Sequence, residues 1–293
     1  MSALALALVI AAALLHALWN IAAKHAGGNH HFALQCGLLL ALLWAPVALW
    51  AGVGEIGRWG WVEWGIVAGS GVTHLVYFLT LLRGYRESDL TVVYPVARGT
   101  GPLLTTAGAV VLLHEWPTVW TLLGVLGITA GLVLIAGGPS LWRRAHDPAQ
   151  RQRMRAGFVW GGLTGTLIAG YTLVDGYAVK VLAISPILVD YIGNLCRIPF
   201  TVPAALRDRA GFKAAWHAQW KHALLVAAIS PLAYVLVLYA ATMAPLSHVA
   251  PAREVSMLFA ALLGGRLLGE ADRGLRMLGA LCMAGGVAAL ALG

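Results

Sequence analysis

Apolar runs of about 18 to 22 residues recur along the whole chain of 293 residues, and each is long enough to cross a hydrocarbon core of about 30 Å as a helix. Hydrophobic residues make up 60% of the sequence and charged residues only 11%, whereas soluble domains carry about 25% charged residues. The sequence therefore predicts an all-α integral membrane protein. We place ten spans at 3–23, 32–51, 61–82, 90–112, 117–137, 157–178, 186–206, 222–242, 246–268 and 274–292.

The two groups of five spans resemble one another. Arg98 and Arg253 are 155 positions apart (253 − 98), and Lys24 and Lys180 are 156 apart (180 − 24). A recurrence at fixed spacing indicates a duplicated unit, and since five is odd, the second copy must lie inverted in the membrane. Inverted repeats are typical of transporters with a binding site at the midplane. The predicted units are a first five-helix repeat at 1–138, a basic connecting loop at 139–156 and a second, inverted repeat at 157–293.

Basic residues mark one side of the membrane. The loops that follow helices 1, 3, 5, 7 and 9 carry fifteen lysines and arginines, whereas the opposite loops carry only Arg58 and Lys180. By the positive-inside rule the basic side is cytoplasmic, which places both termini outside. Because the net charge of +8 is spread over these loops rather than gathered in one patch, we expect no nucleic-acid partner.

The sequence offers no pattern for a cofactor, a metal or an enzyme. Cys36, Cys196 and Cys282 lie singly in apolar runs and are interpreted as small core residues. The histidines within 25–31 have no acidic or cysteine partner nearby, and no H-E-x-x-H, G-x-S-x-G or Walker element occurs. Span 3–23 lacks the basic start and cleavage motif of a signal peptide, so we expect it to be retained.

Three elements carry a resemblance to a known family: "HALWNIAAKHAG" at the end of helix 1, a proline-containing start of helix 4, and "L-L-x-E" before the glycine-rich last helix of each half. They resemble the drug/metabolite transporter superfamily, and more narrowly its EamA-type permeases. Within that group the chain looks most like the YddG-type exporters of aromatic and other neutral amino acids. The resemblance covers the whole chain. It implies ten helices in two inverted repeats around a central cavity, alternating access, and cytoplasmic termini, the reverse of the charge pattern.

Two arginines lie deep in predicted helices. Arg98, in "VVYPVARGTGPLL", is about eight residues into helix 4, or roughly 12 Å deep. Arg253, in "HVAPAREVSMLF", is about seven residues into helix 9, which enters from the opposite face. Exposure to lipid at that depth costs at least about 2.5 to 3.5 kcal/mol, so each arginine should face a cavity or a partner. A guanidinium can bind a substrate carboxylate through two parallel hydrogen bonds; the alternative is an internal salt bridge with Asp175, Asp190 or Glu254.

Proline and glycine near Arg98 favour an irregular start of helix 4. Pro95 removes a backbone donor, and Gly99 and Gly101 follow closely. Irregular backbone at membrane depth is tolerated where it lines a cavity or is buried in protein. A simple kink without a binding role is the alternative.

Aromatic and polar side chains are expected to surround the two arginines. Such a lining suits an amphipathic small molecule, for example an aromatic or aliphatic amino acid, although helix packing or an interfacial belt is the alternative for each residue. The predicted substrate-binding residues are His16, Trp19, Asn20, His74, Tyr77, Phe78, Tyr94, Arg98, Trp160, Tyr171, Asp175, Tyr234, Arg253 and Glu254.

Intramembrane carboxylates and histidines make protons a candidate partner. Asp175 and His74 are examples, and a protonatable group in a cavity is what proton-coupled antiport needs; facilitated diffusion is the alternative. Glu115 and Glu270 are predicted to cap the last helix of each half. Glycines on those helices predict close contact between them: Gly124, Gly127, Gly131, Gly279, Gly285 and Gly286.

The expected function is that of a secondary transporter or facilitator of small metabolites that exports amino acids, aromatic and other neutral ones, by alternating access. Its partners are a small-molecule substrate, the lipid bilayer and candidate protons, and its location is a bacterial inner membrane. One alternative keeps the fold and exports a drug or a lipid-linked intermediate through a lateral opening. Another is a membrane enzyme or scaffold with a solid core.

Overall fold

In the computed structural model every described secondary-structure element is helical. The structure describes residues 1–26, 30–88, 90–136, 147–263 and 273–293. Because no water reaches a bilayer core, the backbone of an apolar span must satisfy its own hydrogen bonds, and a helix does so. The α-helices are α1 (Ala3–His25), α2 (His30–Gly52), α3 (Trp61–Glu87), α4 (Leu90–Leu112), α5 (Val119–Ile135), α6 (Pro148–Lys180), α7 (Pro186–Leu195), α8 (Ile198–Arg207), α9 (Arg209–Met243), α10 (Leu246–Arg253), α11 (Ser256–Leu263) and α12 (Arg273–Leu292).

Each of the ten predicted spans corresponds to one helix or to a pair of helices. By length and composition, six of the described helices can cross a membrane: α1, α2, α3, α6, α9 and α12. The chain is thus a multi-pass helical membrane protein.

Two helices begin well before the predicted spans. α6 starts at Pro148 rather than 157, because the Asp147 carboxylate accepts a hydrogen bond from the Ala149 amide, 2.9 Å away, and Pro148 occupies the first helical position. α9 starts at Arg209 rather than 222, because Asp208 accepts from the Gly211 amide. The predicted loop 139–156 is therefore helical from Pro148 onward, and residues 137–146 lie outside the described part of the chain.

The expected irregular start of helix 4 is wrong. α4 runs unbroken from Leu90 to Leu112 with Pro95 and Pro102 inside it. Each proline removes one intrahelical hydrogen bond, but α4 lies along α6, where an added Cβ at Gly161 would come within 2.9 Å of the Val93 carbonyl oxygen. Close packing against α6 holds the helix together across its prolines.

Two other predicted single spans are broken instead. Span 186–206 is divided between α7 and α8 at Cys196 and Arg197, and span 246–268 between α10 and α11 at Glu254 and Val255; the predicted end of the second span, 264–268, lies outside the described residues. At the second break the Glu254 amide donates to the Pro251 carbonyl, three residues back, and the Val255 amide does the same to Ala252. These tighter bonds end the α-helical pattern and hold Glu254 at the bend.

The predicted glycine contacts join α5 and α12. An added Cβ at Gly124 would lie 2.8 Å from the Gly286 carbonyl oxygen, and one at Gly131 would lie 2.6 Å from that of Gly279. The pairing 124 with 286 and 131 with 279 shows that the two helices run antiparallel. Gly127 also contacts α12, whereas Gly285 is exposed and a Cβ added there would meet no described atom of another helix within 4 Å, so its predicted contact is wrong.

Candidate substrate-binding site

Arg98 and Arg253 come together at the centre of the protein, around a single carboxylate. Arg98 Nη1 lies 3.3 Å from Glu254 Oε2 and 3.4 Å from Oε1, and Arg253 Nε lies 3.5 Å from Glu254 Oε1. All three residues are buried. Of the three carboxylates expected as partners of the arginines, Glu254 is the one that contacts them. Glu254 lies at the break between α10 and α11.

The first arginine also contacts α1 and an aromatic ring of its own helix. Arg98 Nη2 lies 3.5 Å from His16 Nε2, and its guanidinium carbon lies 5.3 Å from the centre of the Tyr94 ring. A cation over an aromatic face is stabilised by the ring's quadrupole. His16 and Tyr94 are therefore part of the central group, which we call the arginine cluster: Arg98, Arg253, Glu254, His16 and Tyr94.

A second polar group surrounds Asp175 on α6. Its carboxylate is fully buried and accepts hydrogen bonds from the hydroxyls of Ser70 and Tyr234. His74 Nε2 lies 3.9 Å from Asp175 Oδ2. The His74 ring stacks on Tyr171 with ring centres 3.9 Å apart. We call these residues the Asp175 cluster: Ser70, His74, Tyr171, Asp175 and Tyr234.

Tyrosine rings connect the two clusters. Tyr171 interacts electrostatically with both Arg98 and Arg253, and Tyr234 with Arg253. Tyr77 lies against Tyr171, with ring centres 5.5 Å apart. Predicted site residues on α1, α3, α4, α6, α9 and the α10 end thus form one continuous polar and aromatic interior.

Four of the predicted site residues lie outside this interior. Trp160 donates its indole N–H to Glu87, 2.7 Å away, beneath the Arg83 guanidinium. Phe78 is 40% exposed on α3. Asn20 donates to the His16 carbonyl of its own helix. Trp19 touches the His16 ring edge but packs mainly in a separate apolar group that includes Phe32 and Ala223.

Sequence reasoning missed Ser70, and it interpreted Arg197, with Asp190, as structural rather than as part of the site. Ser70 is a small polar residue one helical turn before His74, a spacing that places both on one face of α3. Arg197 lies at the break between α7 and α8, and it acts electrostatically on Asp190, Asp175 and His74. The same break places Cys196 against Gly71 of α3.

Glu115 caps a different helix from the predicted one. It lies between α4 and α5, where Thr118 is the actual cap of α5. Its carboxylate accepts hydrogen bonds from the amides of Leu246 and Ser247 at the start of α10, at 2.7 and 2.9 Å, and from Lys180 Nζ at 3.0 Å. We call this group the Glu115 latch: Glu115, Lys180, Leu246 and Ser247. The equivalent prediction for Glu270 lies outside the described residues.

The latch joins the two halves of the chain and bears on the central site. Glu115 accepts hydrogen bonds from the first two amides of α10, and α10 ends at Arg253. The latch therefore fixes the position of the short helix that carries the second arginine. Burial raises the pKa of Glu115, but the hydrogen bonds from the Ser247 and Leu246 amides and from Lys180 outweigh it and leave the pKa below the usual value of a glutamate. The carboxylate is ionised at neutral pH.

A groove of about 490 Å³ opens on the outer side of α4 and α6. Its walls are mostly apolar, with Leu103, Phe158 and Leu163 among the lining residues. It lies on the side of α4 and α6 that carries exposed apolar residues.

The comparisons with known proteins agree with this architecture. Residues 3–137, which contain the first five helices, match the EamA-like transporter family. A search of the curated proteins found no significant match. Among 27 matching chains of solved structures, one described only as "Crystal structure of protein" has a TM-score of 0.72 and 17% sequence identity, over 100% of this chain and 98% of its own. At that identity the likeness concerns the fold alone.

The apolar helices indicate a multi-pass membrane protein, and its first half is similar to the EamA-like transporter family. The match lies on the half that contributes Arg98 and His16 to the arginine cluster. Nothing in the match points to an enzymatic activity.

Proposed function

We propose that the protein is a secondary transporter of small metabolites, which exports aromatic and other neutral amino acids by alternating access, as in the YddG-type group that the sequence resembles. The observation that carries this proposal is the convergence of Arg98 and Arg253 on one carboxylate, Glu254. We place the protein in a bacterial inner membrane, and the central interior is its binding site.

The charges of the arginine cluster do not balance. Two guanidinium groups share one carboxylate, and buried charges are costly unless they are paired and hydrogen-bonded. Arg253 Nε is buried and has no hydrogen-bond partner within the described residues. A carboxylate supplied by the substrate would complete the pairing, since arginine presents a fork of donors that matches a carboxylate.

The distances within the cluster favour exchange of that partner. Arg98 and Glu254 are 3.3 to 3.4 Å apart, whereas charge-assisted N–H···O bonds are typically about 2.7 to 2.9 Å long. The pair is therefore loose. A substrate carboxylate can take up donors of Arg98 without first breaking an optimal salt bridge.

The aromatic neighbours suit the rest of such a substrate. The Tyr94 ring lies 5.3 Å from the Arg98 guanidinium carbon, and Tyr171, which acts electrostatically on Arg98, packs against Tyr77. Tyrosine presents an apolar ring and a hydroxyl, which together accommodate an amphipathic side chain. An amino acid combines a carboxylate with a side chain of this kind.

The helix arrangement supports inverted repeats and alternating access. Gly124 and Gly279 correspond in the two halves, as do Gly131 and Gly286, and each contacts the counterpart of the other. A contact that maps onto itself in this way is expected of two antiparallel copies. The Glu115 latch joins the two halves on the side where Lys180 lies, a contact that we expect one of two alternating states to make and the other to break.

Counterflow in proteoliposomes tests this proposal. Vesicles loaded with one unlabelled amino acid should take up a labelled neutral or aromatic amino acid, and Arg98→Ala should abolish the uptake. Arg58→Ala is the matched control, because Arg58 is an exposed arginine in the turn before α3. Normal counterflow by Arg98→Ala, or none by the unaltered protein with any amino acid of a broad panel, would refute the proposal.

The outer groove favours one second candidate, the export of a lipid-linked intermediate or an amphipathic drug. Its apolar walls on the outer side of α4 and α6 fit a substrate that enters from the bilayer. This function predicts that free amino acids compete weakly with such a substrate. Strong competition by free amino acids would exclude it.

A further inference from the structure

We propose that Asp175 and His74 form a site that holds either one proton or the ammonium group of the substrate, so that the protein exchanges one proton for one amino acid. This inference rests on the proposed amino-acid transport. It goes beyond it by assigning the coupling ion, its binding site and the group that recognises the substrate's second charge.

The tautomer of His74 follows from its hydrogen bonds. Nδ1 lies 3.0 Å from the carbonyl oxygen of Ser70, and a carbonyl oxygen only accepts hydrogen bonds. The Nδ1 atom must therefore carry the hydrogen in the neutral ring, which leaves a lone pair on Nε2. Ser70 thereby fixes which nitrogen of His74 can receive a proton.

That free nitrogen faces a carboxylate oxygen. Nε2 of His74 and Oδ2 of Asp175 are 3.9 Å apart, and both are acceptors when the carboxylate is ionised and the ring neutral. Two buried acceptors that face one another lack a donor between them, and one proton satisfies both. A shortening of roughly 1 Å would bring the two atoms to normal hydrogen-bond distance.

Asp175 is also positioned to receive an ammonium group. A carboxylate has about four acceptor sites, and the hydroxyls of Ser70 and Tyr234 occupy two of them. Within the described residues no lysine or arginine lies within ion-pair distance of Asp175, and the carboxylate is 0% exposed. Its charge is therefore available to a cation that enters the site.

The charged groups around Asp175 come from every helix packed on it. Arg197, at the α7–α8 break, and Arg253, on α10, act on it electrostatically from a distance, and Asp190 of α7 adds a negative charge nearby. Arg98 of α4 is paired with Glu254 instead. Among the described residues none of these arginines is close enough to Asp175 to form an ion pair with it.

The two clusters can thus bind the two charges of one zwitterion. The substrate carboxylate pairs with the arginines, and the ammonium group on the same carbon pairs with Asp175, on which Arg253 acts electrostatically. When a proton bridges His74 and Asp175, the carboxylate is neutralised and the ammonium group loses its partner. Each cycle carries one proton one way and one net-neutral amino acid the other, so one positive charge crosses the membrane.

Efflux driven by a pH gradient tests this inference. Proteoliposomes loaded with labelled phenylalanine should release it several-fold faster when the outside is acidic, and the accompanying proton entry is followed with an internal pH dye. In Asp175→Asn the ratio of rates with and without the gradient should fall to about one. The matched control is Asp147→Asn, which changes an exposed aspartate at the start of α6; asparagine caps a helix equally well, so this variant should keep the ratio of the unaltered protein.

A binding measurement covers the case in which Asp175→Asn fails to fold. The Kd of the unaltered protein for phenylalanine should rise as pH falls, by up to about tenfold per pH unit when one proton competes for one site. A Kd independent of pH, or gradient-driven efflux that persists in Asp175→Asn, overturns the inference. If counterflow is present but insensitive to pH, only this inference fails; if counterflow is absent, the proposed transport function fails.

Discussion

Removal of the Glu115 carboxylate should destabilise the protein more than the loss of any ordinary helix cap. In Glu115→Ala the first amides of α10 lose their acceptor, and Lys180 loses its ion-pair partner. The position is decisive because one side chain from the first half holds both the end of α6 and the start of α10.

The size of the effect follows from these contacts. Loss of a helix cap costs about 0.5 to 2 kcal/mol, and a hydrogen bond to a charged group contributes about 1.5 to 3 kcal/mol. Lys180 keeps a second acceptor, the Ala244 carbonyl at 2.8 Å, so the full cost of an orphaned buried charge does not arise. We expect a loss of about 2 to 4 kcal/mol in the free energy of unfolding.

Thermal unfolding in detergent measures this loss. The three free cysteines, Cys36, Cys196 and Cys282, are half-buried, so a thiol-reactive dye reports their exposure on heating. At about 2 to 4 °C per kcal/mol for a large domain, a loss of about 2 to 4 kcal/mol should lower Tm by roughly 4 to 16 °C.

A matched control separates the latch from ordinary capping. The carboxylate of Glu63 on α3 accepts one hydrogen bond, from the Gly60 amide at 2.7 Å, at an exposed position. Glu63→Ala should therefore lower Tm by only about 1 to 3 °C. If Glu115→Ala lowers Tm no more than Glu63→Ala does, the reasoning about the latch is refuted.

The remaining predictions concern acid, packing and orientation. The pKa of Glu115 is lowered in the folded protein, so the carboxylate stabilises the fold above the unfolded pKa of 4.5, and this stabilisation is lost as pH falls through the folded pKa. The Tm difference between the unaltered protein and Glu115→Gln should therefore shrink below about pH 4.5. A Tm difference that stays constant with pH contradicts this. Gly131→Ala places a methyl group 2.6 Å from the Gly279 carbonyl oxygen and should cost about 1 to 3 kcal/mol, whereas Gly285→Ala should cost little; equal Tm values would exclude the packing role. Arg151→Cys, in a variant without the native cysteines, should react with an impermeant thiol reagent only from the cytoplasmic side, and reaction from outside would reverse the orientation.

The sequence predicted the helices well where composition decides them. Apolar length alone located α1, α2 and α12 to within a few residues, since a bilayer imposes both the helical state and its length. It failed for the polar starts of α6 and α9, because a hydropathy reading treats arginine and lysine as loop residues although they are good helix formers. The signals were present: Asp147 before Pro148, and Asp208 three residues before Gly211.

The sequence predicted which helices carry the site residues, but not which side chains contact one another. The predicted repeat would bring Arg98 and Arg253 to similar depths from opposite faces, and the structure places both beside Glu254. Which carboxylate joins them depends on the rotation of each helix and on the break after Arg253, and neither follows from spacing. Pro95 and Pro251 show the same limit: α4, packed on α6, is one continuous helix across its prolines, while the predicted span 246–268 is broken at Glu254, after α10.

The central claim is that a substrate carboxylate pairs with Arg98, and binding of matched ligands in detergent tests it most directly. The unaltered protein should bind phenylalanine, and 2-phenylethylamine, which lacks the carboxylate, at least about tenfold more weakly, since a bidentate charge-assisted pair is worth more than about 1.4 kcal/mol. Arg98→Ala should weaken phenylalanine binding by a similar factor and leave 2-phenylethylamine unaffected. Equal affinity of the unaltered protein for both ligands, or full affinity of Arg98→Ala for phenylalanine, would contradict the account.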